Sequence, residues 1–202
     1  MNLLLLILVP LLTAIAVLLV PNKTQVRWVA FIGSVIQFAL AFVLLGAFRN
    51  ARAGGKTAQM LFEQQYNWFP SWNISFHFGV DGIAVAMILL TAFVVIAGVL
   101  VSWNMEKMTK EFYFLLILLS LGAYGFFISL DLFILFFFLE IAVIPKYLLI
   151  GIWGSGKKEY AANKLALMLI SFGPFSTGAA LGDTIICVWS KVILPSYLSF
   201  VA

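Results

Sequence analysis

Residues 132–153 read Leu132-Phe133-Ile134-Leu135-Phe136-Phe137-Phe138-Leu139-Glu140-Ile141-Ala142-Val143-Ile144-Pro145-Lys146-Tyr147-Leu148-Leu149-Ile150-Gly151-Ile152-Trp153. A bilayer core is crossed by a helix of about 20 mainly apolar residues, and this run is long enough. Glu140 stands near its middle. An ionisable side chain at that depth costs roughly 2.5–3.5 kcal/mol on insertion scales. Such a group persists where something offsets the cost or uses the group, so Glu140 is the first candidate functional residue.

The rest of the chain agrees with a membrane reading. Of its 202 residues, 64% are hydrophobic and 10% charged, where a soluble domain carries about 25% charged residues. The apolar runs are continuous and do not alternate, which selects helices over the strands of a membrane barrel. The fold class is therefore an all-α polytopic membrane protein. Five spans are clear: Leu3–Val20, Val26–Phe48, Val80–Val101, Phe112–Leu130 and Leu132–Trp153. A sixth starts near Ala161 and turns irregular after Ile170, and a seventh segment stays open. Only Asp131 parts the fourth span from the fifth, which predicts a tight helical turn. Ala14-Ile15-Ala16 has the look of a signal cleavage site, but no basic residue precedes the first run, so it is read as a retained helix.

The long connection Arg49–Gly79 carries strand periodicity. Asn73, Ser75 and His77 alternate with Ile74, Phe76 and Phe78, and Glu63–Trp68 precedes them, so a small hairpin is expected after the second span. His77 falls on its polar face with no second ligand in the pattern, and no metal site is expected. Lysine and arginine set the topology. Lys23, Arg27, Lys107, Lys110, Lys157, Lys158 and Lys164 follow spans one, three and five, against Arg49, Arg52 and Lys56 in the long connection. The richer set marks the cytoplasmic side, which places the N-terminus outside.

Composition also excludes chemistry. The net charge of +4 belongs to loops and shows no basic face interleaved with aromatics, so no nucleic-acid partner is expected. One cysteine, Cys187, and one histidine, His77, cannot assemble an iron–sulfur cluster or an internal disulfide. The segment Gly151-Ile152-Trp153-Gly154-Ser155-Gly156-Lys157-Lys158 nearly spells a phosphate loop, but it lacks the closing Ser or Thr and follows a helix, not a strand.

Around Glu140 the ionisable groups are few. Burial favours a neutral carboxyl and a nearby lysine favours the ionised one, so a carboxyl held between the two can load and release a proton. The other reading is a protonated acid that hydrogen-bonds between helices. Lys146 is six residues on, about 120° away around an ideal helix, so the two make a poor pair on one helix. Glu140 is then expected to meet a partner on another helix. Lys146 is a candidate for the proton path or a snorkelling lysine. Lys164 opens the sixth span as a second candidate or as a boundary charge. Pro145 cannot donate to the Ile141 carbonyl and is expected to kink the helix beside the acid. Asp81 opens span three, where a carboxylate complements the first-turn N–H groups.

Three stretches carry a family resemblance: Phe76–Met87 (FHFGVDGIAVAM), Leu130–Gly154 (LDLFILFFFLEIAVIPKYLLIGIWG) and Glu159–Met168 (EYAANKLALM). With them the chain resembles the N-terminal part of the proton-pumping, antiporter-like membrane subunits of respiratory complex I, the subunit M (chain 4) pattern above all. The resemblance implies a proton-translocating subunit of an NADH:quinone oxidoreductase in the bacterial inner membrane, with Glu140 at the position of the family's proton-relay glutamate. It implies partner lysines on later helices, other membrane subunits and the lipid bilayer as partners, and no redox centre in this chain. NADH, FMN, iron–sulfur clusters and quinone would be handled by other subunits. A cation/proton antiporter subunit of the related multi-subunit class is the alternative, and a non-functional truncated fragment a third reading.

The resemblance covers residues 1–169, taken as one membrane domain. Residues 170–202 form an atypical apolar tail, broken by Ser171-Phe172-Gly173-Pro174 and interrupted by Lys191 and Pro195. That break predicts a truncated or frame-altered product, with a short paralogue as the alternative.

Overall fold

The computed structural model describes residues 3–54, 60–69 and 74–168. The tail from 170, and with it the irregular part of the sixth span and any seventh, lies outside the described residues. The elements are α1 (Leu4–Leu19), α2 (Lys23–Ala53), β1 (Leu61–Phe69), β2 (Ile74–Val80), α3 (Gly82–Val101) with a 3₁₀ turn at Ser102–Asn104, α4 (Thr109–Ile128) and α5 (Leu132–Trp153). Residues 158–168 are again helical. The chain divides into two compact units, Met1–Pro145 and Lys146–Ala202.

The bounds of α5 coincide with the apolar run. Others differ. The second helix does not end at Phe48 but continues to Ala53, so the connection expected from Arg49 begins later. The Arg52 guanidinium lies over the Phe48 ring, 5.4 Å from its centre, one helical turn back. That contact lets a charged last turn stay helical. Val80 belongs to β2 and not to the third span, because Asp81 caps α3 by accepting from the Gly82 N–H at 2.6 Å. The fourth helix ends at Ile128, so Ser129–Asp131 separate it from α5. Four helices are long and apolar enough to cross a bilayer. The first is shorter than the span read from Leu3 to Val20, since α1 has 16 residues, a rise of about 24 Å.

In the first unit α1 packs on α2 and α4, α2 on α3, and α3 on α4. Arg27 Nη2 donates to the Met105 carbonyl at 2.9 Å, which brings the α1–α2 and α3–α4 connections to one end of the bundle. The antiparallel β1–β2 pair stands at the other end, with Leu61 facing Val80 and Gln64 facing Phe78. It is tied to the α4–α5 connection, where the Leu130 N–H donates to the His77 carbonyl at 2.9 Å.

Two internal prolines shape how the helices meet. Pro10 lies inside α1 and has no N–H for the carbonyl of Leu6, four residues back. Gln37 of α2 fills that vacancy: its Nε2 donates to the Leu6 carbonyl at 3.0 Å. Pro145 likewise lies within α5, and the helix continues through it to Trp153.

α4 has two working faces. Tyr113, Ile117, Leu121, Tyr124 and Ile128 are buried within the cores that α1–α4 share. Gly122 and Gly125 lie against α5. A Cβ on Gly122 would sit 2.8 Å from the Ala142 Cβ and 2.9 Å from the Phe138 carbonyl, and one on Gly125 would enter the Phe138 ring. Small residues at such a crossing let helix backbones approach closely, as membrane packing favours. Replacing Gly125 by Val should therefore lower the thermal unfolding temperature of the detergent-solubilised chain, at a cost of about 1–3 kcal/mol for overpacking. Phe138→Ala in that background should recover part of the loss, and two independent losses would contradict this packing.

Candidate functional site: the carboxyl of the fifth helix

α5 starts cleanly because Asp131 caps it. Its Oδ1 accepts from the Phe133 N–H at 2.9 Å, and its carbonyl accepts from the Leu135 N–H at 2.9 Å. Glu140 follows eight residues after the first residue of α5, about 12 Å along the axis and close to mid-helix.

The face on which Glu140 lies follows from the packing of its neighbours. Ile134, Phe138 and Ala142 are buried and recur every fourth residue, and Phe138 and Ala142 meet Gly122 and Gly125. Glu140 is two residues from both Phe138 and Ala142, about 200° around the helix from each. The carboxyl is therefore directed away from α4. It is half-buried, between buried Val143 and the exposed Phe137 and Ile144. Among the described residues Glu140 makes no ion pair and no hydrogen bond.

The lysine candidates belong to the second unit. Lys146 is half-buried on α5. Lys164 is exposed, on the side of the 158–168 helix opposite buried Ala162 and Ala166, and its Nζ stands 5.9 Å from the centre of the Tyr160 ring. Within that unit Tyr147 Oη donates to Asn163 Oδ1 at 3.1 Å. Lys158 Nζ donates to the Ile152 carbonyl at 3.2 Å, so a lysine of the phosphate-loop look-alike closes the end of α5. The structure thus places Glu140 in the first unit and both expected lysines in the second.

Two further polar groups were not singled out from the sequence. Gln37 is buried in α2, and Tyr124 is buried in α4. Their signal was available, since an amide inside an apolar span is costly unless bonded. His77 does acquire a partner that the sequence reading did not name: its Nε2 lies 3.7 Å from Glu63 Oε2 across the strand pair. Among the described residues no cluster of three His, Cys, Asp or Glu side chains could hold a metal ion.

No protein-family model matches the chain. Its curated relatives are consistent among themselves. It is 33% identical over 178 residues to an NAD(P)H-quinone oxidoreductase chain 4 of Trichodesmium erythraeum, covering 87% of this chain and 31% of that protein. It is 35% identical over 164 residues to a chain 4 of Synechococcus elongatus, covering 80% of this chain and 30% of the relative. The chloroplast chain 4 of Chlorokybus atmophyticus is 32% identical over 163 residues, covering 80% and 31%. The chain thus spans about a third of the length of the curated relatives it matches. Among solved structures the fold is shared with a chain of respiratory complex I from Thermus thermophilus, at a TM-score of 0.73 and 21% identity, over 98% of this chain and 39% of that one. A membrane-bound sulfane sulfur reductase, an archaeal respiratory membrane complex, shares it at a TM-score of 0.65 and 23% identity, over 94% and 37%. The resemblance to complex I chain 4 read from the three stretches holds over most of the chain.

The cap that starts α5 gives a direct test of how the acid is positioned. Asp131→Ala should destabilise the chain by about 1 kcal/mol, whereas Asp131→Asn should keep most of the cap. Thermal unfolding in detergent checks it, and equal effects of the two variants would contradict a capping role.

Proposed function

We propose that this chain forms part of a membrane subunit of an NAD(P)H:quinone oxidoreductase and carries a proton-relay carboxyl, Glu140, on its fifth membrane helix. The observation that supports this most is the similarity to chain 4 proteins across four fifths or more of the chain, which includes the whole run 132–153. In this reading α1 also crosses the bilayer and the 158–168 helix begins a sixth span. The N-terminus and the β1–β2 pair face outward. The end that holds Lys23, Arg27, Lys107 and Lys110 faces the cytoplasm, as the positive-inside rule requires. For a bacterial chain the membrane is the inner one.

The orientation of Glu140 supports a relay that needs a second element. The acid is turned away from α4 and has no counter-charge among the described residues. A cation brought near it favours the ionised form and ejects the proton, and withdrawing the cation favours reloading. Lys146 and Lys164 are the candidates on this chain, with lysines of other helices as further ones. Pro145, five residues on, leaves the Ile141 carbonyl without an intrahelical N–H, which is a polar foothold for water near the acid. The redox cofactors and quinone belong to neighbouring subunits, so the chain's contribution is to move a proton and not an electron.

Glu140→Gln, placed in the complete complex, should reduce protons translocated per quinone reduced by roughly tenfold or more, as loss of a proton-transfer group predicts. Glu140→Asp should retain part of the activity. Proton-to-electron stoichiometry measured in vesicles decides it, and an unchanged ratio at normal quinone reduction in Glu140→Gln ends the relay assignment.

A further inference from the structure

The core of the first unit is interrupted at mid-height. One apolar cluster includes Ala14 and Val17 of α1, Val26 and Ala30 of α2, and Tyr113 and Ile117 of α4. The other includes Leu6, Ala41 and Leu44, and Tyr124 and Ile128 of the same three helices. Between the clusters each helix carries polar or small residues: Pro10 and Thr13 on α1, Ser34 and Gln37 on α2, Ser120 on α4.

The hydroxyl protons of this layer are already engaged. Thr13 Oγ1 donates to the Val9 and Pro10 carbonyls, Ser34 Oγ to Phe31, and Ser120 Oγ to Ile117. Gln37 is only 4% exposed. Its Nε2 is fixed on the Leu6 carbonyl, which Pro10 leaves needing a donor, so Oε1 is the amide atom that remains. It has no partner among the described residues, and neither has the hydroxyl of Tyr124, a side chain with 0% exposure. Helical side chains lean toward the N-terminus of their helix. The Tyr124 ring therefore reaches back toward the level of Ser120, into the interrupted layer.

We propose that this layer is a water-binding site, in which a buried water donates to Gln37 Oε1 and accepts from Tyr124 Oη. The two atoms have complementary needs, an amide oxygen lacking a donor and a phenol lacking an acceptor. Water satisfies both, and the unused lone pairs of Ser120 and Thr13 offer it a further acceptor. Buried waters make about three such bonds and sit where otherwise orphaned polar groups converge. Among the described residues no carboxylate, lysine, arginine or histidine belongs to the layer, which selects a neutral ligand over an ion. The site lies on the face of α4 turned from α5, so it stands whether or not Glu140 relays protons.

The test is a double-mutant cycle on the full chain in lipid nanodiscs, joined to radiolytic hydroxyl-radical labelling, which marks side chains beside bound water. Tyr124→Phe should lower the unfolding temperature by about 2–4 °C and should cause no further drop once Gln37→Leu has removed the other half of the site. Tyr124 should be labelled despite its burial. Tyr113 is the control, equally buried but with its hydroxyl on the Ser102 carbonyl at 2.9 Å. An unchanged or raised unfolding temperature in Tyr124→Phe overturns the site, as do equal drops in both backgrounds. Coupling without labelling of Tyr124 means a direct Tyr124–Gln37 bond and overturns the water. Should Gln37→Leu fail to fold, Tyr124→Phe and the labelling still decide.

Discussion

A buried carbonyl without a donor is costly, and the Leu6 carbonyl is the place where this chain meets that constraint. Pro10 removes the N–H that would have served it, and the Gln37 side chain of the next helix supplies one at 3.0 Å. The bond fixes more than one group. It sets the height of α1 against α2, and α1 in turn packs on α4. In a lipid medium apolar burial gives little preference for one helix pairing over another, so a directional bond of this kind carries much of the specificity.

From that anchored bundle α4 becomes the organising helix. One side of it is buried with Tyr113, Ile117, Tyr124 and Ile128, and the other is cut back to glycine where Phe138 and Ala142 arrive. The two consequences are linked. Close approach at Gly122 and Gly125 fixes the rotation of α5, and that rotation points Glu140 away from α4. The Asp131 cap adds the axial restraint. The position of the acid is thus set by how α5 packs and starts, and its carboxyl makes no hydrogen bond or ion pair among the described residues.

Much of this was legible in the sequence, for identifiable reasons. The bounds of α5 could be read to the residue because Asp131 and the Gly154-Ser155-Gly156 stretch punctuate an unbroken apolar run. Asp81 could be read as a helix start by the same logic. The end of α2 was misread because Arg49 and Arg52 look like a loop, while in the helix Arg52 covers Phe48 and its long stem reaches past the apolar surface. The face of Glu140 was not readable at all. A helix that is apolar on all sides has no periodicity to reveal which side is buried. Only the glycines of α4, a dozen or more residues earlier, decide it.

Gln37 shows the opposite failure. The residue was in plain view inside an apolar span, and so was Pro10, but nothing in a single sequence pairs a freed carbonyl with an amide about thirty residues away. Once the pairing is known, the asymmetry of the amide follows from chemistry alone. The nitrogen must face the carbonyl, so the oxygen must face inward, where the hydroxyls of Ser34 and Ser120 are committed to their own helices. A proline in one helix thereby determines which atom of another is left bare, and so where a polar layer can exist in an otherwise apolar core. The same substitution of a proline for a donor recurs at Pro145 in α5, beside Glu140, and there too the backbone is left with an acceptor that the helix itself does not fill.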